Sequence, residues 1–302
     1  MSLRPYVFYR FSIEDEGSPL THEEILPFLE SARGVWVSHR VPRDREGAKD
    51  TALIQLRTTL IEFINEDDSE DVIYFNIVRE LTTRLRKEYN DKLDVLEEVV
   101  EEGKDMMLGM VVCLPGRGLM AVEDSSGKEA LGAQSTVARL RSVVRVFEGH
   151  RFMSALAASS NEVRSAIARW EVDNVSFRVW PYNPHPKKAG EHLAALLAPG
   201  KVEVSGSIKP YKNGQIDLQQ GGFVNEVVEL GTTKHAEYGV TGKTSDGYRA
   251  RIQKAAPEDG SPVKLKVYIP VTESTESHIK AAAKAMLEIY VAKPSVEISE
   301  DE

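Results

Sequence analysis

The sequence predicts an α+β fold in two domains, with mixed or antiparallel sheets and helices packed on one face. Three observations carry that expectation. Runs that alternate polar and apolar residues, as strands do, occur along the same chain as stripes spaced three or four apart, as in helices. The 302 residues, 41% of them apolar, exceed the roughly 100–200 of one typical domain and can form two cores. The charge also changes sign along the chain. Residues 1–110 hold 14 Lys/Arg against 24 Asp/Glu, whereas residues 131–256 hold 17 against 11. We therefore expect an acidic α+β domain over 1–105 and a second α+β domain over 106–302 that carries the basic region.

Tyr6–Ile13 alternates and is rich in aromatics, which predicts a strand. Thr21-His22-Glu23-Glu24 has the form of a capping box and opens a helix to about Ser31. Val35–Val41 is a strand candidate, Pro42–Asp50 and Glu66–Asp71 are charged loops, and Thr51–Ile64 fits strand or helix equally. Val72–Val78 is β-branched and aromatic, hence a strand. From Arg79 to Glu102, Leu81, Leu85, Tyr89, Leu93, Leu96 and Val100 recur at steps of four or three, which predicts a long amphipathic helix with a charged outer face.

Met106–Cys113 and Leu119–Val122 flank Pro115-Gly116-Arg117-Gly118 and read as a hairpin. Thr136–Phe147 and Ser159–Trp170 are helices, and Asn174–Trp180 is a strand stopped by Pro181. A helix over Lys187–Leu197, a strand over Lys201–Ile208 and a helix over Gly222–Leu230 follow. His235–Thr241 and Tyr248–Gln253 form a hairpin around Ser245-Asp246-Gly247, then come a strand over Val263–Ile269 and an alanine-rich helix over Ser274–Val291. No repeat or low-complexity tract interrupts this order.

Several functions lack support. The longest apolar run is far short of the ~20 residues needed to span a bilayer, and the N-terminus lacks the core of a signal peptide. The single cysteine, Cys113, allows no intrachain disulfide, which suits a reducing cytoplasm. Gly242-Lys243-Thr244 ends like a phosphate loop, but the required glycine five residues earlier is Glu237 and the next residues make a turn. The seven histidines are scattered without metal-site spacing, and Cys113 lies in an apolar strand where a thiol is inert. No Gly-x-Ser-x-Gly elbow is present. The expectation is no cofactor, no metal and no catalytic residue.

What remains is basic and aromatic. Arg141 and Arg145 share a helical face, Lys187 and Lys188 follow, and Lys209, Tyr211 and Lys212 lie in one predicted loop. Lys243, Tyr248, Arg249 and Arg251 surround the predicted hairpin turn. Lysines neutralise phosphates, arginines add bidentate contacts, and exposed tyrosines stack on unpaired bases. These eleven residues are the predicted nucleic-acid contacts. Two alternatives stay open: a protein-interaction scaffold that uses the acidic face of residues 79–105, and a metal-dependent nuclease built from dispersed carboxylates.

The opening Tyr6-Val7-Phe8-Tyr9-Arg10, the hairpin Met106–Val122, the strand ending Phe177-Arg178-Val179-Trp180-Pro181-Tyr182-Asn183-Pro184 and the helix and strand after it resemble the RexA-type phage-exclusion proteins and related bacterial families of unknown function. The resemblance covers about two thirds of the chain and is one of organisation. It implies a cytoplasmic, dimeric, DNA-associated protein of phage defence without enzymatic chemistry. Nucleic acid, a protein partner and a second copy of the chain are thus the expected partners.

Overall fold

β1 (Leu3–Asp15) buries Tyr6, Val7, Phe8, Tyr9, Phe11 and Ile13, the aromatic and β-branched positions that predicted it. The computed structural model describes residues 3–37, 51–62, 69–81, 84–90, 95–101, 105–125, 127, 130–156, 163, 166, 168–180, 204–210, 216, 222–232, 236–254, 263–271 and 274–289. Glu16 (φ 50°) and Gly17 (φ 88°) form a two-residue turn that joins β1 to β2 (Ser18–Pro19), with Asp15 opposite Ser18. Positive φ at both positions matches the right-handed twist of the strands. In α1 (His22–Ala32), the Thr21 N–H and hydroxyl both donate to Glu24 Oε2 at 2.8 Å, so the capping sequence does what its composition predicts.

The remaining strands are β3 (Thr51–Glu62), β4 (Ser69–Leu81), β5 (Arg84–Asn90), β6 (Val95–Glu101), β7 (Asp105–Leu114) and β8 (Leu119–Glu123). Then follow β9 (His150–Leu156), β10 (Glu171–Val179), β11 (Val204–Ile208), β12 (Ala236–Lys243), β13 (Arg249–Lys254) and β14 (Lys264–Pro270). Besides α1, the helices with described bounds are α2 (Ala133–Val144), α3 (Phe223–Thr232) and α4 (Thr275–Ile289).

Two expectations are corrected. The fold is dominated by antiparallel sheet and is not the α+β arrangement with helices on one face: fourteen strands stand against four helices among these elements. The described residues of the predicted helix over 79–102 are instead the end of β4 and the antiparallel pair β5–β6, in which Leu85 pairs with Val100 and Tyr89 with Leu96. A step of four returns to one face in a helix, but it also returns to one face of a strand, whose period is two. Of the ambiguous segment 51–64, residues 51–62 are strand β3 and residues 63–64 lie outside the described residues. The expected strand over 35–41 shows only a bridge at Val37, and its residues 38–41 lie outside the described residues.

The chain divides into two compact units. One comprises Phe11–Gly116 and Val122–Ser154. In it β3, β4 and β7 lie side by side, antiparallel, and α2 packs on them. β4 and β7 are buried on both faces, from Val72 to Val78 and from Gly109 to Leu114. Gly109 faces α2: a Cβ there would meet Thr136 Oγ1 at 2.1 Å, so only glycine lets helix and strand approach this closely.

The other unit comprises Met1–Arg10, Arg117–Ala121 and Ala155–Glu302. Its strands run in the order β11-β10-β12-β13-β14-β1, all antiparallel. Val240, Ile252, Leu265, Val267 and Ile269 point to one side of this sheet, where α3 contributes Val224, Val227 and Val228, and α4 contributes Ile279, Ala282 and Met286. Tyr6 Oη and His278 Nε2 form a buried hydrogen bond of 2.8 Å, tying β1 to α4. The alternate residues of the same strands form the outer side.

Candidate nucleic-acid interface

Strand alternation places the predicted cations. Along β13, Arg249, Arg251 and Gln253 are exposed while Ala250 and Ile252 are buried. The registers extend that pattern across the sheet: Arg249 lies between Lys243 and Tyr268, Arg251 between Thr241 and Lys266, and Gln253 between Gly239 and Lys264. On β10, Arg178 stands opposite Glu237 and Glu171 opposite Lys243. One face therefore gathers Arg178, Lys243, Arg249, Arg251, Lys264 and Lys266, against the carboxylates Glu171 and Glu237. The positive sign of this face wins locally over the acidic chain.

The cations differ in their engagement. Lys243 Nζ lies 3.6 Å from Glu171 Oε2, an exposed pair that partly neutralises it. Arg178 sits 5.4 Å over the Trp180 ring. Arg249 and Arg251 are two residues apart on an extended strand, about 7 Å along it, and both project to solvent.

The turn at the end of this face is firmly built. The Thr244 N–H donates to Tyr248 O and the Gly247 N–H to Thr244 O, both at 2.8 Å, and the Tyr248 N–H donates to Thr244 Oγ1 at 3.1 Å. The Ser245 N–H donates to Glu288 Oε1 of α4 at 2.7 Å. Burial pushes the Tyr248 phenol above its ordinary range, and the nearby Asp246 adds to the shift, so Tyr248 is partly engaged in the fold. Gly242 is a packing residue, since a Cβ there would meet Glu171 O at 2.5 Å. The Gly-Lys-Thr tripeptide is thus a strand end entering a turn.

The other predicted contacts separate from this face. Lys209 is exposed just beyond β11 in the same unit. Arg141 and Arg145 belong to the other unit, at the end of α2, where they line a cleft. Lys187, Lys188, Tyr211 and Lys212 lie outside the described residues. The site prediction missed Lys264, Lys266 and Tyr268. Their signal was the alternation Lys264-Leu265-Lys266-Val267-Tyr268, which identified the strand and also set three polar side chains on one side of it.

Burial drives the Cys113 thiol far above its ordinary range, which removes it as a nucleophile at neutral pH. Among the described residues, no three His, Cys, Asp or Glu side chains cluster as metal ligands, and no helix is long and apolar enough to cross a membrane. The chain matches no protein-family model, and no curated protein is similar to it.

Proposed function

We propose that the protein is a non-enzymatic nucleic-acid-binding protein that holds a phosphate backbone against the outer face of β12, β13 and β14. The observation that carries this reading is the cross-strand set Arg249, Arg251, Lys264 and Lys266, with Tyr268 beside them. Guanidinium groups give bidentate contacts to phosphate, lysines give counter-charge, and the half-buried Tyr268 ring offers a stacking surface. Such a face recognises backbone and unpaired bases rather than a base sequence, because cations that contact phosphate and a ring that stacks on a base carry no sequence information. The setting we propose is the cytoplasm, which a single buried thiol suits, and phage exclusion by a homo-oligomer, as the RexA-type resemblance implies.

Reversing Arg249, Arg251, Lys264 and Lys266 to glutamate tests the reading. Fluorescence anisotropy with labelled single-stranded DNA and RNA should show affinity falling at least about a hundredfold, since each lost charged contact is worth roughly 1.5–3 kcal/mol. Retention of wild-type affinity by a folded variant removes this function.

A further inference from the structure

We propose that the cleft between the end of α2 and β9 is a binding site for a small nucleoside phosphate, separate from the sheet face above. Its volume is ≈ 1140 Å³, and it lies wholly within the unit of Phe11–Gly116 and Val122–Ser154. That is ample for a mononucleotide, since ligand sites commonly measure ~300–1,000 Å³.

Three guanidinium groups line it: Arg141 and Arg145 from α2 and its end, and Arg151 from β9. All three are exposed, and among the described residues none forms an ion pair. Arg141 Nη2 makes only a long 3.4 Å contact to Ser154 Oγ. The dipole at the C-terminal end of α2 favours the first two arginines but gives no reason for the third, which comes from a strand. Gathering like charges in a concavity is unfavourable unless something anionic enters. Glu16 and Glu148 line the same cleft and offset part of that charge, yet among the described residues neither pairs with an arginine, so a positive excess remains.

The remaining lining favours a nucleoside over a bare anion. Phe147 is half-buried in the cleft and Met153 is 52% exposed, so an apolar or aromatic body would find partners beside the arginines. Glu16 and Glu148 can accept hydrogen bonds from ribose hydroxyls or a base amino group. The floor is rigid. Gly149 (φ 80°) accepts a hydrogen bond from the Glu16 N–H at 3.1 Å, and a Cβ at Gly149 would meet Asp15 Oδ1 at 2.9 Å. His150 stacks on Phe28 with centroids 4.6 Å apart, and Phe147 meets the same ring edge-on at 5.2 Å. A preformed surface of this kind loses little freedom when a ligand binds.

Titration of the full chain with ATP and with inorganic triphosphate, followed by calorimetry, tests the site. The wild-type protein should bind ATP more tightly than triphosphate. Arg145→Gln and Arg151→Gln should each weaken ATP about tenfold, and Phe147→Ala should weaken ATP while leaving triphosphate unchanged. Arg249→Glu with Arg251→Glu should leave ATP binding intact, so failure here and failure of the sheet-face function are told apart. No ATP binding by the wild type at millimolar concentration, equal affinity for triphosphate, or ATP affinity untouched by the arginine variants would overturn the proposal. Circular dichroism of each exposed-site variant establishes that it is folded.

Discussion

Three carboxylates show how local surroundings set the pH response of this fold. Glu24 is held below the usual carboxylate range by the Thr21 backbone and hydroxyl, and Glu276 by its hydrogen bond with Lys280. Their contribution is present above the ordinary range and fades as pH falls through their lowered values. Glu288 runs the other way. Burial raises it, the Ser245 N–H opposes the shift, and Oε2 is buried without a hydrogen-bond partner among the described residues. Its folded form prefers the proton, so its contribution is greatest below the ordinary range and is lost as pH rises through the raised value. Glu288→Gln keeps an oxygen for the Ser245 N–H and removes the half-buried charge. We expect its melting temperature at pH 8 to exceed that of the wild type by about 1–3 °C, with the gain vanishing near pH 4. Scanning calorimetry at both values decides this, and a lower melting temperature at pH 8 would contradict it. Tyr6→Phe should act at every pH, because it removes the buried bond to His278, at a cost of about 1–2 kcal/mol in denaturant melts.

At the scale of elements, close approach between α2 and β7 gives the sharpest test. Gly109→Ala would drive a methyl into Thr136, which is fully buried and has no room to swing. Overpacking of this kind costs about 1–3 kcal/mol. Adding Thr136→Ala should recover part of that loss, so the two substitutions should be non-additive in a double-mutant cycle. Strict additivity would mean that the two residues do not press on each other. The legibility of elements in the sequence follows the same local logic. The capping box of α1, the aromatic alternation of β1 and the turn chemistry of β12–β13 each act within a few residues, and each predicted its element. The pair β5–β6 misled because Leu81, Leu85, Tyr89 and Leu93 are four apart, a spacing common to both periods. The step of three from Leu93 to Leu96 falls where β6 begins. Only the partner strand distinguishes the two, and pairing such as Leu85 with Val100 is not written in either segment alone. The candidate interface was half legible for the same reason: Arg249 and Arg251 stand out by themselves, whereas Lys264 and Lys266 join them only through the β13–β14 register.

For the whole molecule, a formal charge of −9 argues against polyanion binding, while the arrangement of charge argues for it. Net charge acts over distance and is screened beyond about 8 Å at physiological salt, so contacts at a surface feel mainly the groups beside them. On the outer face of β12, β13 and β14 those neighbours are Lys243, Arg249, Arg251, Lys264 and Lys266 against the carboxylate Glu237, with Lys243 partly spent on Glu171. Four engaged cations should release about three counterions from a single strand, at roughly 0.7 per phosphate. The logarithm of affinity should therefore fall against the logarithm of salt with a slope near −3. Removing Arg249 and Arg251 should reduce that slope by about 1.4, whatever the base sequence. A protein whose acidic charge governed the encounter would instead bind more tightly as salt rises, because screening would relieve repulsion. Anisotropy titrations between 50 and 300 mM salt separate the two, and a flat or rising dependence would assign the basic face a role other than holding phosphate.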